Sequence, residues 1–151
     1  MIRKIVTCII ALCIVSSISS AVTAYNETVV PTVTSFSNGV MPLYDNVNYV
    51  ASGISINSSN KAVCTGSYYL YSKTKSVITM TLMKSTDKSS WTAVESWSQT
   101  NNVKNPAGYS KTSTNTLSSS YYYCNFVQVQ IYDSNNNVIE TVSCFSNPCH
   151  L

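Results

Sequence analysis

Apolar and polar residues show no regular order until about Tyr49, and from there they alternate with period two almost to the end of the chain. The clearest signal is residues 77–84 (VITMTLMK), where Ile78, Met80 and Leu82 alternate with Thr79 and Thr81, as a strand with one buried face requires. Residues 121–132 repeat it, with Val127, Val129 and Ile131 on one face. Shorter alternations predict strands at 50–56, at 91–98, at 138–144, and at 61–71, where Ala62, Cys64, Tyr68 and Leu70 share a face. Between them stand turn-forming runs at 57–60 (NSSN), 85–90 (STDKSS) and 133–137 (DSNNN), rich in residues whose short side chains bond their own backbone. The second closes a hairpin, and the third returns the chain antiparallel. Residues 101–120 are polar, with Pro106 and Gly108; a loop of that length is either functional or hides a short strand. Six to eight short strands with regular turns predict a single all-β domain over residues 49–151, an antiparallel β-sandwich of immunoglobulin-like or related type.

The opening of the chain follows a different rule. Arg3 and Lys4 precede an apolar run at 5–15 (IVTCIIALCIV), and a small, polar stretch then ends in Val22-Thr23-Ala24. This is the layout of a secretory signal peptide over residues 1–24, cut after Ala24, with Ala21 as the alternative. A membrane span needs about 18 consecutive apolar residues. The eleven residues of 5–15 fall short, so no membrane insertion of the mature chain is expected. Residues 25–48, with Pro31, Gly39 and Pro42, read as an extended leader, with one edge strand around 28–35. The product is expected to be secreted.

Composition agrees. Ser, Thr, Asn and Tyr dominate, and strong helix formers are scarce. After residue 24 there are seven lysines, no arginine and six acids, a formal charge of 7 − 6 = +1. Without a basic cluster the chain is a poor nucleic-acid binder, because such binding rests on several phosphate contacts.

Four cysteines remain after cleavage: Cys64, Cys124, Cys144 and Cys149. An even count in an exported chain predicts two disulfides, with three possible connectivities. Cys144, Cys149 and His150 do not have zinc spacing, so no metal is expected. Cys64 and Cys124, with Tyr122 two residues before the second, resemble the inter-sheet cysteine pair and tyrosine corner of immunoglobulin domains. That resemblance implies Cys64–Cys124 with Cys144–Cys149; the rival pairs Cys124 with Cys144 and Cys64 with Cys149. Two features depart from it. Trp91 lies well beyond the usual tryptophan position, and Cys124 shares parity with Phe126, Gln128 and Gln130 rather than with the apolar face. Residues 85–91 (STDKSSW) are similar to an Asp-box hairpin turn, without its glycine and in one copy, so they are read as a turn closed by aspartate and serine.

Aromatic residues supply the binding chemistry. Trp91 and Trp97 have the same parity, so an undistorted strand would set both indoles on one face, where they could stack on sugar rings. Tyr69 and Tyr71 join them as candidate ligand-binding residues, since adjacent tyrosines put rings on both faces of a strand. Catalysis has less to work with: one histidine, His150, near the end of the sequence, and the scattered carboxylates Asp45, Asp87, Glu95, Asp133 and Glu140. There is no phosphate loop, HExxH or cofactor fingerprint, so no cofactor and no enzymatic activity are expected. Taken together, the export signal, the STDKSSW hairpin and the tyrosine-rich later strands resemble, over residues 49–143, small secreted β proteins of unknown function from Gram-positive, clostridial-type bacteria. The resemblance implies a habitat and a sandwich, with no functional residues. The expected function is a non-catalytic extracellular binding module for glycan or cell wall; the alternatives are an adhesin-like or inhibitory protein-binding module, or a small hydrolase.

Overall fold

The computed structural model describes residues 44–151 apart from residue 73. The expected export signal, and the expected leader up to residue 43, lie outside the described residues. Seven strands follow in order: β1 (Val47–Ile56), β2 (Ala62–Leu70), β3 (Lys75–Ser85), β4 (Thr92–Asn101), β5 (Tyr109–Thr112), β6 (Tyr122–Tyr132) and β7 (Val138–Phe145). They form two antiparallel sheets, β1-β2-β5 and β4-β3-β6-β7, which face each other as a β-sandwich.

The period-two pattern builds the core as expected. Ile78, Met80 and Leu82 of β3 meet Val127, Val129 and Ile131 of β6 and Ala62, Cys64, Tyr68 and Leu70 of β2, none of them more than 3% exposed. Each larger side chain so buried contributes roughly 1.5–3 kcal/mol. The turn residues act locally as their chemistry dictates. Asn57 Oδ1 accepts the amides of Ser59 and Lys61, and Asp133 Oδ1 those of Asn135 and Asn137. Asn60 and Asn136 adopt left-handed φ of 56° and 64°, which asparagine tolerates better than most residues. The polar segment 101–120 does contain a short strand: β5 lies on β2, pairing Val63 with Thr112 and Gly66 with Tyr109.

One expectation fails at a β-bulge. The β3–β4 register passes from Leu82↔Glu95 to Met83↔Ala93, so Val94 is an extra residue with no partner. Parity therefore reverses between the two tryptophans. Trp97, opposite Met80, packs half-buried against the main core. Trp91, 6% exposed, lies on the other side of the sheet in a small cluster with Met83 and Cys124. The expected single face of two indoles does not form.

The cysteine expectation is also corrected. The tyrosine whose hydroxyl bonds the backbone upstream is Tyr123, not Tyr122: it accepts the Ser118 amide at 2.8 Å, while Tyr122 lies on the other face of the sheet beside His150. The residue two beyond Tyr123 is Asn125, and it, not Cys124, projects between the sheets. Asn125 is fully buried, and its Nδ2 donates to Thr65 O at 2.9 Å and Gly53 O at 3.2 Å across the sandwich. Cys124 therefore faces away from Cys64. Cys144 lies beside Val127 and Cys149 beside Tyr123, four positions apart along β6, or about 13 Å, beyond the reach of a disulfide. Cys124 is three positions from Val127 and on the opposite face, which removes the Cys124–Cys144 pair as well. All four cysteines are free thiols in the structure. Beyond β7 the chain stays close: Ser146 bonds Asn125 through both its amide and its hydroxyl, and Cys149 exchanges two backbone bonds with Tyr123.

Candidate functional site

The β1–β2 hairpin has one face in the core and one in solvent. Val50, Ile54, Cys64 and Tyr68 point inward. Tyr49, Ala51 and Gly53 of β1 and Tyr69, Ser67 and Thr65 of β2 take the alternate positions and point outward, paired across the strands in that order. A bulge between Val47 and Tyr49 shifts the register just before the first of these pairs. Tyr49 and Tyr69 then stack, ring centroids 6.3 Å apart and planes within 15°. Tyr71 follows at the end of β2, half-exposed, its hydroxyl donating to Asn48 Oδ1 at 3.4 Å.

Two residues along this face the large rings give way to small ones. Ala51, Gly53, Thr65 and Ser67, with Gly108 and Ser110 from the β5 side, enclose an open groove of about 380 Å3. Gly53 keeps the groove shallow here: a Cβ at that position would stand 2.6 Å from Thr65 Oγ1 and would push that hydroxyl aside. Gly66 meets a limit on the inner side, where a Cβ would lie 2.9 Å from Ile78 Cδ1 and 3.1 Å from Met80 Sδ. The groove surface is mainly apolar, with the hydroxyls of Thr65, Ser67 and Ser110 on it and the Tyr49–Tyr69 pair beside it, and rings that stack together with a few hydroxyls can receive a sugar.

Of the four expected ligand-binding residues, Tyr69 and Tyr71 lie on this surface. Trp91 is buried elsewhere, and Trp97 packs against the core under the β4 edge. Tyr49 was missed. The signal for it was available, since the turn at Asn57–Lys61 fixes the hairpin register and counting outward from it sets Tyr49 opposite Tyr69.

The acidic side chains work as structural ties. Asp87 accepts the amides of Ser89 and Ser90 and the Ser85 hydroxyl, and these bonds hold its carboxyl below the usual range. Asp133 is lowered in the same way, first by the Asn137 amide. Glu95 binds Thr114 and so fastens the β5–β6 connection to β4, while Glu140 accepts from the Asn46 backbone and side chain at 2.8 and 2.7 Å. His150 packs 5.0 Å from the Tyr122 ring. None of these groups lines the groove. Burial pushes the Cys64 thiol up to about 12, with Cys149 and Glu95 adding to it, and Cys124 likewise to about 12. Cys144 is pushed up to about 11 by burial. Among the described residues, no three His, Cys, Asp or Glu side chains converge closely enough to hold a metal ion. The chain matches no family model and no curated protein.

Proposed function

We propose that the protein is a non-catalytic extracellular binding module, and that the outer face of β1-β2-β5 is its glycan-binding surface. The observation that carries this reading is the stacked Tyr49–Tyr69 pair, continued by exposed Tyr71 and adjoining a shallow groove with a few hydroxyls. Stacking on an aromatic ring is worth about 1 kcal/mol beyond area burial, and a groove of this size holds one or two sugar rings. The strand order supports an immunoglobulin-like topology, with β1-β2-β5 matching strands A-B-E and β3-β6-β7 matching C-F-G. Residues 1–24 are read as the export signal that delivers the module outside the cell.

The test is retention of the mature chain, residues 25–151, on insoluble peptidoglycan, cellulose, chitin and mucin, beside Tyr69→Ala, Tyr49→Ala and Trp97→Ala. Wild-type retention that either tyrosine variant loses and the tryptophan variant keeps supports this face. Retention that none of the three alters refutes it.

A protein partner is the second reading. It is favoured by β7, an edge strand whose neighbouring Val138 and Ile139 are 47% and 53% exposed, an arrangement to which a partner strand can add.

A further inference from the structure

Four strands stand at sheet edges, β1 and β5 in one sheet and β4 and β7 in the other. β7 (VIETVSCF) carries no lysine or proline, the residues that commonly keep an edge from pairing. Its ladder to β6 is unbroken from Glu140 to Phe145, and the two aliphatic residues at its start, Val138 and Ile139, are both exposed. Its single charge is turned aside, since Glu140 Oε2 accepts both the backbone and the side-chain N–H groups of Asn46. Among the described residues the other oxygen, Oε1, is buried and meets no donor. The tie between Asn46 and Glu140 also fixes where the chain arrives: whatever precedes β1 reaches the sandwich at the start of β7.

The sequence predicts an edge strand over residues 28–35 (TVVPTVTS), rich in β-branched residues. Within an antiparallel pair the N–H and C=O of one residue point to the same side, and successive residues alternate. Pro31 has no N–H to give, so a strand built on it has room for one neighbour only. Positions 29, 31 and 33 then direct their backbone to solvent, and positions 28, 30, 32 and 34 direct theirs to the neighbour. Residues 36–43 (FSNGVMPL) hold the turn signal Asn38-Gly39 and four large apolar side chains. Their eight residues span at most roughly 26–29 Å, ample for doubling back from Glu140. Antiparallel pairing to β7 sets residue 35 at the Val138 end, beside the point where Asn46 is tied.

We propose that residues 28–35 cover β7 of the same molecule, as an antiparallel strand added to its free edge. The connection 36–43 then lies over Val138 and Ile139 and supplies the donor that Glu140 Oε1 lacks. The glycan surface belongs to the other sheet, so this inference stands apart from it. A partner strand at β7 would have to compete with this segment for the same backbone groups.

The experiment is amide hydrogen exchange of the mature chain, residues 25–151, read by mass spectrometry over 138–145, beside Thr32→Pro and Val33→Pro. Thr32→Pro deletes an N–H directed at β7, whereas Val33→Pro deletes one directed at solvent. The amides on the outer edge of β7 should exchange roughly tenfold faster in Thr32→Pro than in wild type, and within about twofold of wild type in Val33→Pro. A benzophenone side chain placed at Thr141, which is exposed on β7, should cross-link on illumination to residues 28–35 within a monomer. Equal exchange in all three proteins, the opposite ranking of the two prolines, or no cross-link to 28–35 would overturn the proposal. Cross-links found in a dimer would overturn it too, making the segment a strand exchanged between copies. Protection that Thr32→Pro removes over 47–56 instead of 138–145 would set the segment on β1 and overturn it as well.

Discussion

Asn125 is the most exacting single test of how the two sheets are held together. It is fully buried, and its side-chain amide spans the sandwich to the carbonyls of Thr65 and Gly53. Asn125→Ala removes two hydrogen bonds at about 1 kcal/mol each and leaves a void costing about 1 kcal/mol more. The expected loss is therefore about 3 kcal/mol, a fall of roughly 10–20 °C in Tm for a domain of this size. Urea unfolding followed by tryptophan fluorescence measures it, because Trp91 passes from a buried site to water. Asn125→Asp sharpens the test. A carboxyl enclosed at that position has its folded pKa raised above the unfolded value of about 3.9. The neutral form is then favoured on folding, so the variant is least destabilised below pH 4 and loses stability as pH rises toward the folded pKa. Asn125→Ala within 1 kcal/mol of wild type, or Asn125→Asp with no relative recovery in acid, would refute the view that this amide ties the sheets.

Three other outcomes follow from the geometry. Gly66→Ala should cost about 1–2 kcal/mol in chemical denaturation by overpacking against Ile78 and Met80, and Ile78→Val in the same chain should return part of it; additive losses would contradict this. The lowered carboxyl of Asp87 contributes stability that is present above its unfolded pKa of about 3.9 and is lost as pH falls toward its folded value. Asp87→Asn should therefore flatten the acid limb of a Tm-against-pH curve while leaving its slope above pH 5 unchanged, and a steepened acid limb would count against it. In native alkylation at pH 8 read by mass spectrometry, Cys149 should react well before Cys64 and Cys124, whose thiols are fully buried and pushed up to about 12. Labelling of Cys64 at the rate of Cys149 would mean that the core opens readily.

The strands and the core were legible in the sequence because a half-buried strand has to alternate, and the alternation of Ile78-Met80-Leu82 and of Val127-Val129-Ile131 names its buried face directly. Parity arguments carried less far, because one extra residue reverses them. The bulge at Val94 separated Trp91 from Trp97, and no local feature of that segment announces it. Cys124 shows the opposite case. Its parity already opposed a core disulfide, and the structure follows parity by setting Asn125 between the sheets. β5 offered almost no signal, since Tyr109-Ser-Lys-Thr is four residues long and gains its place by backbone pairing to β2 rather than by an apolar face. The groove was illegible for a related reason. It is a gap between Ala51, Gly53, Thr65 and Ser67, and small residues mark a binding surface only once the strand pairing brings them together.

The long reach of the ties across the sandwich bears on when the molecule can become a molecule at all. Ser52 waits for a partner 73 residues further on, and Asn46 for one 94 residues on, while Tyr123 gains its last neighbour only at Cys149. Contacts so distant in sequence make folding slow, on the scale of milliseconds to seconds. As the chain leaves the ribosome, the β1–β2 and β3–β4 hairpins can form, but each has one apolar face bare until β6 and β7 have followed. A nascent chain of this design keeps its sheets unjoined until β6, β7 and the segment to Cys149 have all left the ribosome.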